Sequence, residues 1–152
     1  MGVFVRSRRR LFAALFGMAV LAGFGARADA GSSPVALGEV KVVRADPKLE
    51  QAFRGLVERE LGEVDLSNVK AQDRFVLSAS LTQIATRESS GQAETVAVVS
   101  ATLRRARGGS IHAVINGRAQ ATDRPSKVRS VELSAMRAAV RSALGRLPEA
   151  LK

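Results

Sequence analysis

Three segments in which apolar and polar residues alternate fill residues 74–123, and they restrict the fold of this 152-residue chain more than any other feature. Loops rich in Gly, Ser and Arg separate the segments at residues 88–92 and 104–110. Alternation with a period of two is typical of a strand that buries one face, and short loops between such segments are typical of hairpins. The pattern therefore predicts an antiparallel meander of three strands.

The predicted meander has one apolar face and one polar face. The apolar positions are Phe75, Leu77, Ala79, Leu81, Val99, Ala101, Leu103, Ile111, Ala113, Ile115, Ala119 and Ala121. The polar positions are Ser78, Ser80, Thr82, Ser100, Thr102, His112, Asn116, Arg118 and Gln120. In the first strand the apolar positions are odd-numbered as far as Leu81, but Ile84 is even, which predicts a bulge or a change of face near Thr82 and Gln83.

The dipeptide Asn116-Gly117 offers two interpretations of the third segment. Asn-Gly is a strong signal for a two-residue hairpin turn. Such a turn would place Ile115 and Arg118 on one face, which contradicts the alternation. A continuous strand keeps the apolar positions on one face and makes Gly117 a place where a covering helix approaches the backbone closely. We favour the continuous strand.

Flanking segments supply a further strand and two helices. Residues 35–44 are rich in valine and predict a strand. Asp46 is placed to cap a helix that begins at Pro47 and ends at Gly62. Its apolar positions recur at helical spacing: Leu49, Ala52, Phe53, Leu56, Val57 and Leu61.

A last helix is predicted to begin near Ser126 or Ser130 and to run to Leu147, where Pro148 stops it. Its predicted buried stripe is Leu133, Met136, Val140, Ala143, Leu144 and Leu147, with Arg137 and Arg141 on the opposite side. The order of elements is β-α-β-β-β-α. It predicts an α+β fold with one sheet, made of a strand plus the meander, and two helices that cover one face.

The N-terminus has the three parts of a cleavable signal peptide. A basic start is followed by the uncharged residues 11–26, and then by Ala28 and Ala30 at the −3 and −1 positions of a cleavage site. The alternative, a membrane anchor, needs about 20 apolar residues, and this run is shorter. We therefore expect residues 1–30 to be removed, residues 31–152 to form a single domain, and no transmembrane helix to remain.

Two export routes remain open. Residues 7–12 resemble the twin-arginine motif through Arg8 and Arg9, although Leu11 and Phe12 stand in swapped order. A general secretory signal also begins with arginines. Either route delivers the protein to the periplasm or the medium.

Composition disfavours most catalytic chemistry. The chain has no cysteine, so disulfides, thiolate chemistry and thiolate metal sites are excluded. The only histidine, His112, lies on the predicted polar face, where it is either a solvated residue or the base of an unrecognised site. No serine lies in a Gly-x-Ser-x-Gly elbow and no carboxylates have metal-binding spacing. The sequence predicts no catalytic residue, no metal site and no cofactor.

Positive charge is concentrated in the last third of the chain. Without residues 1–30 the chain has 19 basic and 13 acidic residues, a net charge of +6, and residues 104–152 alone hold eleven basic and three acidic residues. Arg104, Arg105 and Arg107 cluster in one loop, with Arg118 nearby in sequence. They predict an anion-binding site or a solvated loop, since guanidinium groups hold phosphates and carboxylates. Nucleic acid is a poor candidate because the chain has no Trp or Tyr for stacking.

The order of elements over residues 35–148, and segments 75–81 and 111–119, resemble small α+β modules of bacterial envelope proteins. These are the N-terminal domain of the TolB translocation protein, the curli-secretion lipoprotein and the lipoprotein activators of penicillin-binding proteins. The resemblance implies a non-catalytic scaffold or binding module whose partner is an envelope protein or an anionic glycan or lipid surface. This chain lacks the lipid-bearing cysteine of those lipoproteins. The alternatives are a small periplasmic hydrolase and a protein that binds lipopolysaccharide or phospholipid.

Overall fold

The structure is a computed structural model that describes residues 33–70 and 72–152. The predicted export motif at Arg8 and Arg9 and the cleavage site at Ala28 and Ala30 lie outside the described residues. In these described residues, seven helices and strands follow one another, with a short 3-10 turn at Pro125–Lys127: β1 (Val35–Val42), α1 (Pro47–Glu63), β2 (Phe75–Ser89), β3 (Gln92–Arg105), β4 (Ile111–Asp123), α2 (Val128–Leu144) and α3 (Leu147–Ala150). Within the described ranges, no helix is long and apolar enough to cross a membrane.

Helix α1 begins where its sequence predicts. The Asp46 carboxylate accepts hydrogen bonds from the backbone N–H groups of Lys48 and Leu49, at 2.9 and 3.2 Å, and Pro47 occupies the first turn. These N–H groups have no partner inside the helix, so the cap satisfies them. The helix continues one residue beyond Gly62, to Glu63.

The four strands form one mixed sheet in the order β1-β2-β3-β4. Strand β1 is parallel to β2, which α1 makes possible as the crossover connection, and the other two pairs are antiparallel. Helix α1 packs near β1, and α2 packs on β3 and β4. Both helices contribute to the same core as the apolar face of the sheet. The predicted α+β fold is confirmed.

Details of the meander also agree with the alternation. The register of β2 against β3 shifts between Leu81 and Gln83, so the predicted bulge is confirmed, and Ile84 continues the core side beyond it. Strand β4 runs straight through Asn116-Gly117, without a turn. A Cβ atom on Gly117 would collide with Ala139 O and lie 2.6 Å from Ala143 N, so α2 does approach the backbone there.

A second bulge, at the start of β4, contradicts the faces predicted there. Leu103 pairs with Ala113, but Arg104 pairs with Ile111, which leaves His112 as the extra residue. The predicted faces of Ile111 and His112 are therefore exchanged: Ile111 is 60% exposed and His112 is partly buried beside the core.

The prediction for the last helix was wrong in two respects. Helix α2 ends at Leu144, and Pro148 lies in the first turn of the separate helix α3. Leu133 is 39% exposed, while the stripe that faces the sheet includes Val131, Ala135 and Ala139. Arg137 and Arg141 are exposed on the opposite side of α2, as predicted, and the guanidinium of Arg141 binds the buried Glu60 of α1.

Candidate anion-binding cleft

A cleft opens at the end of the sheet where β2 begins and β3 ends. Backbone hydrogen bonds fix its frame: Ala106 N–H donates to the carbonyl of Arg74 at 2.8 Å, and Arg105 N–H donates to the carbonyl of Ser110 at 3.0 Å. The loop after β3 turns through Gly108 and Gly109, whose φ angles of 82° and 65° favour glycine. The segment before β2 and the loop after β3 are thus held side by side.

The cleft has a volume of about 490 Å³ and is lined by Gln72, Asp73, Arg74, Phe75, Arg105 and Arg107. Phe75 is buried, and it is the apolar side chain of this lining. The charged lining consists of three arginines and one aspartate, so the cleft is positively charged.

The three cleft arginines are exposed, and within the described part of the chain none of them forms an ion pair with a carboxylate. Each guanidinium presents five N–H donors in a planar fork that matches phosphate or carboxylate oxygens. Three such groups around one opening can hold a doubly charged anion without breaking an internal ion pair. Their desolvation is incomplete, because the cleft is open to water.

The structure brings two of the four predicted anion-binding arginines together. Arg105 and Arg107 line the cleft. Arg104 follows the buried Leu103 in β3, so its side chain lies on the opposite face of the sheet. Arg118 pairs with Val98 on that opposite face, six residues along β3 from Arg104, which places the two about 20 Å apart.

Arg74 lines the cleft but is not among the four arginines predicted from the sequence. The signal was present, because Arg74 immediately precedes the first apolar residue of β2, and a hairpin between β2 and β3 must place it opposite the arginine-rich loop. Arg74 and Arg105 are about thirty residues apart along the chain, so only the pairing of β2 with β3 makes them neighbours.

His112 lies behind the cleft. Its ring centroid is 5.0 Å from that of Phe75, with the planes tilted by 45°, and Nε2 lies 2.9 Å from the carbonyl oxygen of Ala150. A carbonyl oxygen only accepts, so Nε2 carries the proton and donates to it, and in the neutral ring Nδ1 is left as the acceptor. His112 therefore attaches α3 to the end of the sheet. A hydrolase that used His112 as its base would have to use Nδ1.

Elsewhere in residues 33–70 and 72–152, no group of three or more histidine or acidic side chains is placed to hold a metal ion. The partly buried polar side chains that bridge elements are internally satisfied: Thr86 bonds Thr95 at 2.7 Å and Glu132 at 3.3 Å. In the part of the chain that the structure describes, the cleft places three arginines around one opening, and none of the three is in an ion pair.

No known protein family matches this sequence, and no curated protein matches it. Among solved structures, protein CT253 from Chlamydia trachomatis aligns with a TM-score of 0.52 and 14% identity, over 77% of this chain and 96% of that chain. Lipoprotein GNA1162 from Neisseria meningitidis aligns with a TM-score of 0.44 and 12% identity, over 76% and 97%. The PelC dodecamer from Paraburkholderia phytofirmans aligns with a TM-score of 0.49 and 16% identity, over 72% and 86%.

At 14% identity, the similarity to CT253 shows a shared fold and nothing about activity. The finer resemblance to the TolB, curli-secretion and penicillin-binding-protein activator types stays a prediction.

Proposed function

We propose that this protein is an exported, non-catalytic binding module of the bacterial cell envelope, and that Arg74, Arg105 and Arg107 hold an anionic group of its partner. The partner surface is one that carries phosphate groups, as acidic phospholipid and lipopolysaccharide do. The observation that carries the proposal is the cleft of about 490 Å³ with three arginines that have no carboxylate partner among the described residues. The signal peptide predicted from the sequence supports a location in the cell envelope.

The proposed binding is electrostatic, which makes it sensitive to salt. Exposed charges separated by more than a Debye length are screened, and this length falls from about 10 Å at 0.1 M salt to about 3 Å at 1 M. Each basic residue at an anionic membrane surface contributes about 1 kcal/mol. Removing three arginines should therefore cost about 3 kcal/mol, which is roughly a hundredfold in affinity.

The test is cosedimentation of the exported form of the protein with vesicles of phosphatidylglycerol and phosphatidylcholine, compared with phosphatidylcholine alone. One variant replaces Arg74, Arg105 and Arg107 by alanine. A matched control replaces Arg59, Arg87 and Arg104, which are also exposed and lie outside the cleft. The cleft variant should lose about a hundredfold in affinity for the anionic vesicles, whereas the control should lose far less.

Binding that is indifferent to salt, or an equal loss in the cleft variant and the control, would overturn the proposal. An equal loss would mean that net charge alone attracts the protein to the surface. Soluble inorganic phosphate in the millimolar range distinguishes a phosphate site from a general membrane surface, because only a defined site should be competed by it at constant ionic strength.

A further inference from the structure

Strand β4 is an edge of the sheet, and half of its backbone groups face away from β3. The backbone groups of a strand point alternately to its two neighbours, and the hydrogen bond from Ala106 N–H to the Arg74 carbonyl shows the direction in β3. Even-numbered residues of β3 bond to β2, and odd-numbered residues bond to β4. Odd-numbered residues of β4 pair with odd-numbered residues of β3, as Ile115 does with Ala101. The N–H and C=O groups of the even-numbered residues Val114, Asn116, Arg118 and Gln120 therefore point outward.

One contact confirms this direction. The Arg146 guanidinium donates to the Asn116 carbonyl at 3.4 Å, so this carbonyl faces the edge. Arg146 belongs to the turn after α2, and it reaches the edge from the side that the helices cover. The bond is long and exposed, and a stronger partner can replace it.

The opposite edge of the sheet is protected, but β4 is not. Strand β1 is short, its register is broken between Leu37 and Val40, and it carries the exposed ion pair of Glu39 and Lys41. Bulges and charges of this kind discourage pairing with another chain. Strand β4 has thirteen residues and keeps a regular register from Ala113 to Asp123. Val114, at 55% exposure, adds an apolar contact beside the open edge.

The charges around this edge are positive. Arg118 projects from the open face of the sheet, Arg146 lies on the helix side, and Arg124 follows the end of the strand; all three are exposed and have no ion pair within the described ranges. Asp123, the acidic residue of the strand, is paired with Lys127 at 3.8 Å. A strand added here therefore meets arginines on both of its faces.

We propose that the β4 edge binds an extended, acidic segment of another polypeptide as a fifth strand of the sheet. Backbone hydrogen bonds to the outward groups of β4 supply the pairing, as in other cases of strand addition. Carboxylates of the segment pair with Arg118 on one face and with Arg146 on the other. A second copy of this chain is a poorer occupant, because its β4 would bring the same arginines against each other and each exported chain has a net charge of +6. This site is separate from the arginine cleft and does not depend on it.

The probe is a synthetic ten-residue peptide in which glutamate alternates with valine or threonine. A matched peptide carries lysine in place of glutamate. Binding to the exported form of the protein is measured by fluorescence anisotropy, and amide hydrogen exchange is measured by NMR with and without peptide. The glutamate peptide should bind more tightly than the lysine peptide, and it should slow exchange at Val114, Asn116, Arg118 and Gln120, whose amides point outward.

Two pairs of variants separate backbone pairing from charge. Gln120→Pro removes one outward N–H and leaves the bonds to β3 intact, whereas Gln120→Ala keeps that N–H. Arg118→Glu with Arg146→Glu reverses the charge of the edge, while Arg59→Glu with Arg87→Glu makes the same change in net charge elsewhere. Gln120→Pro should weaken binding about threefold to tenfold relative to Gln120→Ala, because it removes one backbone hydrogen bond. The edge double variant should weaken binding about tenfold relative to its control, because it replaces two attractive charge pairs by repulsive ones.

Several results would overturn the proposal: exchange protection spread over the arginine cleft instead of β4, equal binding of both peptides, or equal loss in the edge variant and its control. Self-association through β4 in the absence of peptide, seen by analytical ultracentrifugation, would assign the edge to a second copy. The charge variant retains every backbone N–H, so the test does not depend on whether the proline variant folds. A variant lacking Arg74, Arg105 and Arg107 should retain peptide binding, which keeps this test independent of the phosphate test.

Discussion

Gly117 is the residue on which the packing of α2 depends most directly. Its lack of a side chain lets the helix backbone at Ala139 and Ala143 approach β4. A glycine in the middle of a strand normally weakens the strand because it adds conformational entropy to the unfolded chain. Here that cost is offset because the close approach allows the alanine face of α2 to fill the space over β3 and β4.

We predict that Gly117→Ala destabilises the protein by about 3 kcal/mol, because the new methyl group must push α2 away from the sheet. Urea denaturation followed by circular dichroism measures the free energy of unfolding. Gly55→Ala in α1 is the control, since a methyl group there meets nothing within 4 Å, and it should stabilise by about 0.5 kcal/mol or more. Equal stability of Gly117→Ala and the native protein would show that α2 does not lie this close to β4.

His112 holds the C-terminal helix to the sheet, and its replacement should release that helix. We predict that His112→Ala lowers the free energy of unfolding by about 2 kcal/mol, from the lost hydrogen bond to Ala150 and the lost contact with Phe75. His112→Phe retains the aromatic contact and should cost about 1 kcal/mol. Denaturant titration of both variants, with hydrogen exchange of residues 147–152, measures the two contributions. Unchanged exchange in that segment would contradict the assigned role.

At the scale of elements, α1 and α2 are joined by an ion pair that lies partly below the surface. The carboxylate of Glu60 has 4% exposure and receives two hydrogen bonds from Arg141, at 2.9 and 3.1 Å. Arg141 also lies 3.7 Å from Glu63. The hydrogen bonds with Glu60 raise the pKa of Arg141 above its ordinary value, so the guanidinium stays charged throughout the physiological range and its stabilising contribution is lost only at strongly alkaline pH.

We predict that Arg141→Met lowers the melting temperature, because it leaves the buried Glu60 carboxylate without its partner. The double variant Glu60→Met with Arg141→Met should recover most of the loss, since two apolar side chains remove the buried charge as well as its partner. Differential scanning calorimetry of the single and double variants completes the cycle. If the double variant loses as much melting temperature as the two single variants lose in sum, the two side chains do not interact.

At the scale of the whole molecule, charge is distributed unevenly along the chain and therefore over the surface. Residues 104–152 comprise the end of β3, the loop that follows it, β4, α2 and α3, and they hold eleven basic residues against three acidic ones. These elements form one side of the sheet, because β4 is an edge strand and α2 covers β3 and β4. An anionic partner is therefore attracted to these elements, which include the β4 edge and two of the three cleft arginines.

The location that the proposals require can be tested directly. We predict that the exported protein begins at Gly31, because Ala28 and Ala30 satisfy the small-residue requirement of signal cleavage. Mass spectrometry of periplasmic and secreted material determines the N-terminus, and retention of Met1 there would contradict the prediction. Replacement of both Arg8 and Arg9 by lysine should stop export if the twin-arginine route is used and should have little effect on the general secretory route.

The sequence by itself determined the local elements of this protein. Period-two alternation specified three strands and the bulge near Thr82, and the Asp46-Pro47 pair specified where α1 begins. These features depend on residues within a few positions of one another, because the geometry of a strand or a helix alone decides which of its residues share a face. The continuous course of β4 followed from the same rule.

The tertiary structure decided which strands, helices and side chains are neighbours. It placed β1 parallel to β2, exchanged the faces of Ile111 and His112 through a bulge, and paired Arg141 with Glu60 across two helices. It also brought Arg74 beside Arg105 at the end of β3 and Arg107 in the loop that follows. Each of these contacts joins residues far apart in sequence or depends on a one-residue shift of register. Local periodicity carries no information about such shifts, since only the packing of the whole core fixes which register buries the most apolar surface.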